Sequence, residues 1–386
     1  MIGEFESMDA RAAEVFEESF VRTLVAKVEI SYSVIECNKI LDPRQAILAI
    51  YAQATGRLNI VCSGTWYALY GESLHEYCRF HDIELRLLPL VVSETYKTLG
   101  AVEEIIQWLN DNQYLRRQEP LIAIGGGVLL DIAGFACSIY RRSIPYIRIP
   151  TTLLGLIDAG IGIKTGVNHH GFKSRIGSYY PPLAVYLDPT FLLTLPKRQI
   201  SCGLAEMIKL GIVADSELFT WLEHHHAQFF QSDIPAILYG IRRSVDKMLT
   251  ELEPNLWEND LNRRVDFGHI FSPTFEMQIA PILLHGEAVA LDMAFSCMLA
   301  WQRSLITMSE RNCIFALLQA TDLPVFDARI NPDILYSALQ STMIHHDGQQ
   351  RVPLPHHIGS VCFVGDLGYE EICTVYASLK DFVERK

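Results

Sequence analysis

The chain has 386 residues, enough for two domains at roughly 100–200 residues each. Apolar residues make up 49% and charged residues 20%, which excludes a disordered or low-complexity protein. Lysine and arginine total 32 against 45 acidic residues, a net charge of −13 that argues against broad nucleic-acid or anionic-membrane binding. A few basic residues converging in one cleft can still hold an anionic small molecule.

No run of about 18 apolar residues suggests a membrane span. The opening MIGEFESMDARAAEVFEE is acidic and lacks the basic-then-apolar order of a secretory signal. Nine scattered cysteines without a Cys-x-x-Cys fit buried thiols in a reducing cytoplasm better than a disulfide framework. Within the first 30 residues an acidic amphipathic stretch is expected, running into the strand-like VAKVEISYSVIE. From about residue 59 to 190, short apolar runs (LNIVCS, ELRLLPLVV, EPLIAIGGG, IPYIRIP) alternate with helical periods, which predicts α/β structure around a largely parallel sheet. The proline-rich PPLAVYLDPTFLLTLP, 181–196, is expected to connect two halves. Beyond about 195 the segments GLAEMIKLGIVADSELFTWLEHHH, ILYGIRRSVDKMLTELE and HGEAVALDMAFSCMLAWQRSLI read as helices. The expectation is a Rossmann-like nucleotide-binding α/β domain over 1–190 and an all-helical metal- and substrate-binding domain over 191–386, with the site in the cleft between them.

In EPLIAIGGGVLLDIAGF, a buried strand meets Gly125, Gly126 and Gly127 and then a helix start. Glycines let the backbone approach a pyrophosphate, and a helix N-terminus offers free N–H groups. Asp131 follows one turn later. The tripeptide alone reads equally well as a tight turn with no ligand. Thr151, Thr152, Asp158, Lys164 and Asn168 then follow in a small-residue context suited to phosphate and ribose contacts.

Glu206 in GLAEMIK, His269 in VDFGHIFSP and His285 in LLHGEAVALD stand in helix-like contexts with small neighbours. One carboxylate plus two imidazoles is a common catalytic zinc set. Spacing does not show that they meet, and singly each reads as a structural histidine or a solvated glutamate. Lys209 is three residues beyond Glu206, on the same helix face. The run His224-His225-His226 points in directions about 100° apart on an exposed helix and chelates poorly. His169-His170 and His356-His357 read as loop pairs.

Taken together, GGGVLLD, RIPTTLLGLIDAGIGIKTGVN, LAEMIK, DFGH and HGEAVA resemble the sugar phosphate cyclase family, of which 3-dehydroquinate synthase is the best-known member. The resemblance runs from about residue 59 to 370. It implies a tightly held NAD, reduced and reoxidised within one turnover, a divalent metal (zinc or cobalt), and a homodimer. The metal ligands carry over to Glu206, His269 and His285. The cofactor positions carry over to Glu94 and Lys97, to Gly125, Gly126, Gly127, Val128, Leu129 and Asp131, to Thr151 and Thr152, and to Phe191 and Thr194. Lys164 and Lys173 match lysines near nicotinamide and substrate. Asp158 and Lys209 match groups around the substrate hydroxyls, and Arg142 matches an arginine that holds the substrate phosphate across the dimer interface.

Within the family the differences carry information. Asp266 replaces an asparagine and Pro273 a second histidine of the dehydroquinate synthases, and a late Asp-Lys-Lys reads Thr342-Met343-Ile344. The lost lysines imply a substrate without a carboxylate, such as sedoheptulose 7-phosphate. Asp266 with His345 resembles the members that form 2-epi-5-epi-valiolone. Relatives forming 2-epi-valiolone or desmethyl-4-deoxygadusol, a polyol dehydrogenase, and a non-catalytic homologue are the competing readings. Ser63, Ser174 and Cys202 depart from the family pattern, where an aspartate and two asparagines are usual.

Overall fold

The computed structural model describes residues 24–279 and 283–385, and of His345 the backbone alone. Most of the predicted acidic amphipathic stretch falls outside the described residues. The strand expected after it is confined to β1 (Ser33–Glu36), the four residues that find a partner strand; before it, Leu24, Val25 and Val28 are exposed.

The remaining strands of the main sheet are β2 (Arg57–Ser63), β3 (Glu84–Leu90), β4 (Leu121–Gly125), β5 (Tyr146–Pro150) and, after the ribbon β6 (Lys164–His169) and β7 (Phe172–Tyr179), β8 (Ala184–Leu187). Their order is β1-β8-β5-β4-β2-β3, with every pairing parallel. Helices α1 (Gly64–Phe80), α2 (Leu99–Asp111) and α3 (Gly127–Ile139) cover the sheet. Alternate residues of β2 and β4 feed two cores: Val61, Leu121 and Ala123 pack with α2 and α3, while Ile60, Cys62, Ile122 and Ile124 pack with α1. Burial on both faces explains why these strands read as unbroken apolar runs.

The 181–196 segment is more than a connection. Its AVYL portion is β8, fully buried between β1 and β5. Four residues flanked by prolines are too few to show a strand period, so tertiary pairing decides their conformation. From Lys197 the chain is helical: α4 (Lys197–Val213), α5 (Ser216–Phe230), α6 (Ile234–Leu252), α7 (Ser272–Ile279), α8 (His285–Gln302), α9 (Met308–Ala320), α10 (Pro332–His345) and α11 (Tyr369–Glu384). Among the described residues, one hairpin of β9 (Val352–Pro355) and β10 (Val361–Val364) interrupts this otherwise helical half. Helix α4 is buried almost throughout and crosses α8 at close range, because a Cβ on Gly286 would stand 2.3 Å from Cys202 Cα.

Two features of this architecture place a site. The chain steps from β2 out to β3, then returns to lay β4 on the other side of β2. Ligands of open parallel sheets sit at such a reversal, at the carboxyl ends of the strands, and here those ends are Ser63 and Gly125. Beyond β5, a single π-helical turn at Gly155–Ala159 carries Asp158 toward α4.

Candidate active site

At the strand reversal, β4 ends in Gly125 and Gly126 occupies the N-cap of α3, with extended backbone and no side-chain cap. The N–H groups of the first turn, from Gly127, Val128 and Leu129, are therefore left for a ligand. A Cβ on Gly126 would meet Thr152 Cγ2 at 3.1 Å, and one on Gly127 would meet Ala159 Cβ at 3.0 Å, so the side chains of Thr152 and Ala159 press close against the turn. Leu129 folds its side chain into the core and offers only its main chain. The Thr151 N–H donates to Gly125 O (3.0 Å), and the Thr152 hydroxyl accepts from Gly155 N–H (3.1 Å).

Lys97 is buried and ion-paired with Asp131 at 2.6 Å, and its ammonium also donates to Ser174 Oγ at 3.2 Å. Burial pushes this ammonium down, but Asp131 and Glu94 outweigh it and hold it charged. Glu94 accepts from Asn168 Nδ2 at 2.8 Å, and Asn168 Oδ1 accepts from Ser174 N–H at 2.8 Å. The 94–97 turn is thus clamped between α3 and the β6–β7 ribbon. Ser174 has φ +48°, a conformation that asparagine tolerates well, and its hydroxyl serves Lys97. Ser63 caps α1 by accepting from Trp66 N–H, a role an aspartate could equally fill. Phe191 packs on Trp66 and Tyr70, and the Thr194 and Tyr70 hydroxyls are 2.8 Å apart, which puts both beside α1.

The second cluster lies where the halves meet. One ligand atom each from Glu206, His269 and His285 falls within 4.8 Å of the others. Glu206 is fully buried on α4, and neither carboxylate oxygen makes a well-formed hydrogen bond. His269 and His285 bring Nε2 to 3.6 and 3.4 Å from Glu206 Oε1. Their Nδ1 atoms face other acceptors, Phe267 O at 3.3 Å and Glu276 Oε1 at 2.9 Å. This donor set suits a divalent cation, since each imidazole turns one nitrogen to a common point while an acceptor orients the other. His269 was expected in a helical context; it sits instead in the turn before α7. Gly268 precedes it with φ +77°, and a Cβ there would meet Val289 and Met293 at 3.1 Å. His285 opens α8.

Four charged groups surround the three. Lys209 is buried and ion-paired with Glu206, with Asp158 Oδ2 at 3.9 Å. Burial pushes Lys209 down, but Glu206 and Asp158 outweigh it. Burial and the charge on Glu206 push Asp158 up to about 6 against the pull of Lys209. Burial and Lys209 push His269 down to about 3, leaving it neutral. Burial and Lys173 push His285 down, but Glu276 and Glu206 prevail and hold it at about 9. Lys173, from β7, is ion-paired with Glu276.

Of the remaining predicted residues, Asp266 stays beside the site, its carbonyl accepting from the His269 N–H at 2.9 Å. Lys164 is largely exposed and pairs with Glu258 at 2.6 Å. Glu258 also holds Arg263 (2.7 Å), which reaches Asp266 at 3.2 Å. The Arg142 side chain is exposed in a run of left-handed residues, Arg141 to Ser143. His345 closes α10, and its side chain lies outside the described residues. Cys202 is buried against the N-terminus of α8. Each histidine of the 224–226 run turns Nδ1 to the carbonyl four residues earlier, so none joins another in chelation.

Sequence reasoning missed Glu276, Glu258, Arg263 and Asp292. Glu276 is a buried acid in the apolar run HIFSPTFEMQI, a signal that was available. Asp292 lies seven residues beyond His285 on the same face of α8, and accepts from the N–H groups of Phe271 and Ser272 at 2.6 and 2.9 Å, fixing the turn that carries His269.

A parallel sheet with an open glycine turn, facing a helical half that holds a carboxylate and two histidines, defines a nucleotide-dependent metalloenzyme of two halves. Comparison with known proteins gives the family. Residues 88–202 match the 3-dehydroquinate synthase N-terminal family, and residues 203–343 match the 3-dehydroquinate synthase C-terminal family. A 2-epi-5-epi-valiolone synthase of Streptomyces hygroscopicus subsp. jinggangensis is 44% identical over 356 residues, covering 89% of this chain and 86% of that one. A demethyl-4-deoxygadusol synthase of Trichormus variabilis is 37% identical, covering 92% and 88%. The solved structure of the S. hygroscopicus synthase, with NAD+ and Zn2+ bound, superposes with a TM-score of 0.90 at 43% identity, covering 95% of this chain and all of that one. The chain belongs to the 3-dehydroquinate synthase-like family of sugar phosphate cyclases.

Proposed function

We propose that this enzyme converts sedoheptulose 7-phosphate into the cyclitol 2-epi-5-epi-valiolone and phosphate, acting as a phosphorus–oxygen lyase. The observation that carries the reading is the buried Glu206–His269–His285 cluster with Lys209 and Lys173 beside it, in a chain 44% identical to a synthase of that name. NAD and a zinc or cobalt ion, when bound, supply a reversible hydride acceptor and a Lewis acid that polarises a secondary hydroxyl. Glu206, His269 and His285 would hold the metal. The N–H groups of Gly127, Val128 and Leu129 would hold the pyrophosphate, with Thr151, Thr152 and the Glu94–Lys97 turn around the nucleotide.

The chain's own residues then bind and orient the sugar. Lys209 and Asp158 face its hydroxyls, and Asp158, raised to about 6, can carry a proton near neutrality. Lys173 and Lys164 bring positive charge to a dianionic phosphate. Arg142 would act from a partner subunit in a homodimer. The reaction is redox-neutral overall: a hydroxyl is oxidised, phosphate leaves, the carbonyl is reduced again, the ring opens and an intramolecular aldol closes the carbocycle. Asp266, tethered through Arg263, and His345 are the residues assigned to product type.

The test is to incubate the purified protein with sedoheptulose 7-phosphate, catalytic NAD and zinc or cobalt, and to identify the product by NMR. Phosphate with 2-epi-5-epi-valiolone is the expected result. Phosphate with an epimer or with desmethyl-4-deoxygadusol would keep the cyclase and overturn the assignment of Asp266 and His345. Net NADH without phosphate would overturn the cyclase in favour of a dehydrogenase.

A further inference from the structure

Glu276 joins two groups assigned to different tasks. Its Oε1 faces His285 Nδ1 at 2.9 Å, and its Oε2 accepts from the Lys173 ammonium. Lys173 Nζ also lies 3.1 Å from that same Nδ1. The imidazole therefore has two competing neighbours on one nitrogen, an acceptor and a donor. With the Nδ1 proton held by Glu276, the Nε2 proton is the one an arriving metal displaces, which leaves that lone pair toward Glu206 and the metal position. When Lys173 donates to Nδ1, the ring proton moves to Nε2, where it faces Glu206 at 3.4 Å and blocks coordination.

We propose that Glu276 is a positioning residue that decides between these arrangements, binding the Nδ1 proton with one oxygen and, with the other, competing with the imidazole for the Lys173 ammonium. Its burial suits this, as the carboxylate is 4% exposed and meets Lys173 from β7 on one side and His285 from α8 on the other. The same bridge ties a cleft lysine of the sheet-bearing half to a ligand of the helical half, so metal loading and the position of Lys173 become linked.

This inference rests on the metal assignment to Glu206, His269 and His285, and the experiment separates the two. Zinc affinity of metal-free protein is measured by competition with a chromophoric chelator, without substrate, for the wild type, His269→Ala, Glu276→Gln, Lys173→Met and the double variant Glu276→Gln/Lys173→Met. Glu276→Gln is expected to bind zinc about 10–100-fold more weakly. Lys173→Met is expected to bind at least as tightly as the wild type. In the double variant the glutamine oxygen accepts the Nδ1 proton unopposed, so affinity returns to within about threefold of the wild type, a rescue that a merely structural carboxylate would not show. Wild-type affinity in Glu276→Gln, or a double variant as weak as Glu276→Gln, overturns the proposal. Should Glu276→Gln alone not fold, the Lys173→Met and double variants decide: a double variant more than tenfold weaker than Lys173→Met overturns it. If His269→Ala retains zinc, the metal assignment itself fails.

Discussion

The glycine turn and the metal cleft solve opposite problems. At the turn, function is left to the backbone: Gly126 and Gly127 keep side chains away, no cap occupies the first turn of α3, and neighbouring chain packs within about van der Waals distance. In the cleft, side chains supply everything. Asp158, Lys173, Glu206, Lys209, His269, Glu276 and His285 crowd together with interlocking charges. A backbone site is local in sequence and tolerates varied surroundings, whereas a charged cleft depends on contacts among distant segments. Damage to one should leave the other's ligand in place.

The largest effect is expected from His269→Ala, which should abolish metal binding and phosphate release while NAD affinity persists, as read by metal analysis, a phosphate assay and NAD titration. Retained turnover would break the separation at its centre. Next comes Gly286→Ala. The added methyl would stand 2.3 Å from Cys202 Cα and 2.5 Å from its carbonyl oxygen, backbone atoms that cannot swing aside. Forcing α4 and α8 apart should cost about 1–3 kcal/mol in denaturant unfolding and weaken zinc binding through the neighbouring His285. Gly126→Ala reverses the comparison. Its methyl would press on the Thr152 side chain, nearest at Cγ2 (3.1 Å), so the fold should persist while NAD affinity falls about tenfold, equivalent to about 1.4 kcal/mol, and zinc affinity stays unchanged.

The smallest effect lies outside both regions. Asp215 caps α5 through Leu218 N–H and pairs with Arg243 at 2.7 Å. Burial raises its pKa, but Arg243 and the Leu218 N–H outweigh it and hold the carboxyl below its ordinary value. Its stabilisation is therefore complete above the unfolded value of about 3.9 and lost as pH falls through the lower folded one. Asp215→Ala should cost about 0.5–2 kcal/mol at neutral pH and flatten the acid limb of the stability curve, with both ligand affinities unmoved.

What could be read in the sequence follows the same division. The glycine turn, the buried strands and the long helices announce themselves within short windows, because their signals are periodicity and punctuation. The residues of the cleft were legible one by one, and the family resemblance grouped Glu206, His269 and His285. Glu276 escaped because its meaning depends on Lys173, 103 residues away. Glu258 and Arg263 escaped for the same reason, tied as they are to Lys164 from β6. Strand β8 was hidden by flanking prolines, and only its neighbours β1 and β5 make it a strand.

The most direct test of the central claim is the ratio of phosphate released to NADH accumulated, with sedoheptulose 7-phosphate in large excess over NAD. A cyclase that returns its hydride within each turnover should release many equivalents of phosphate per NAD with no lasting NADH. Phosphate release that stops at one equivalent per NAD, with NADH rising in step, would contradict the account.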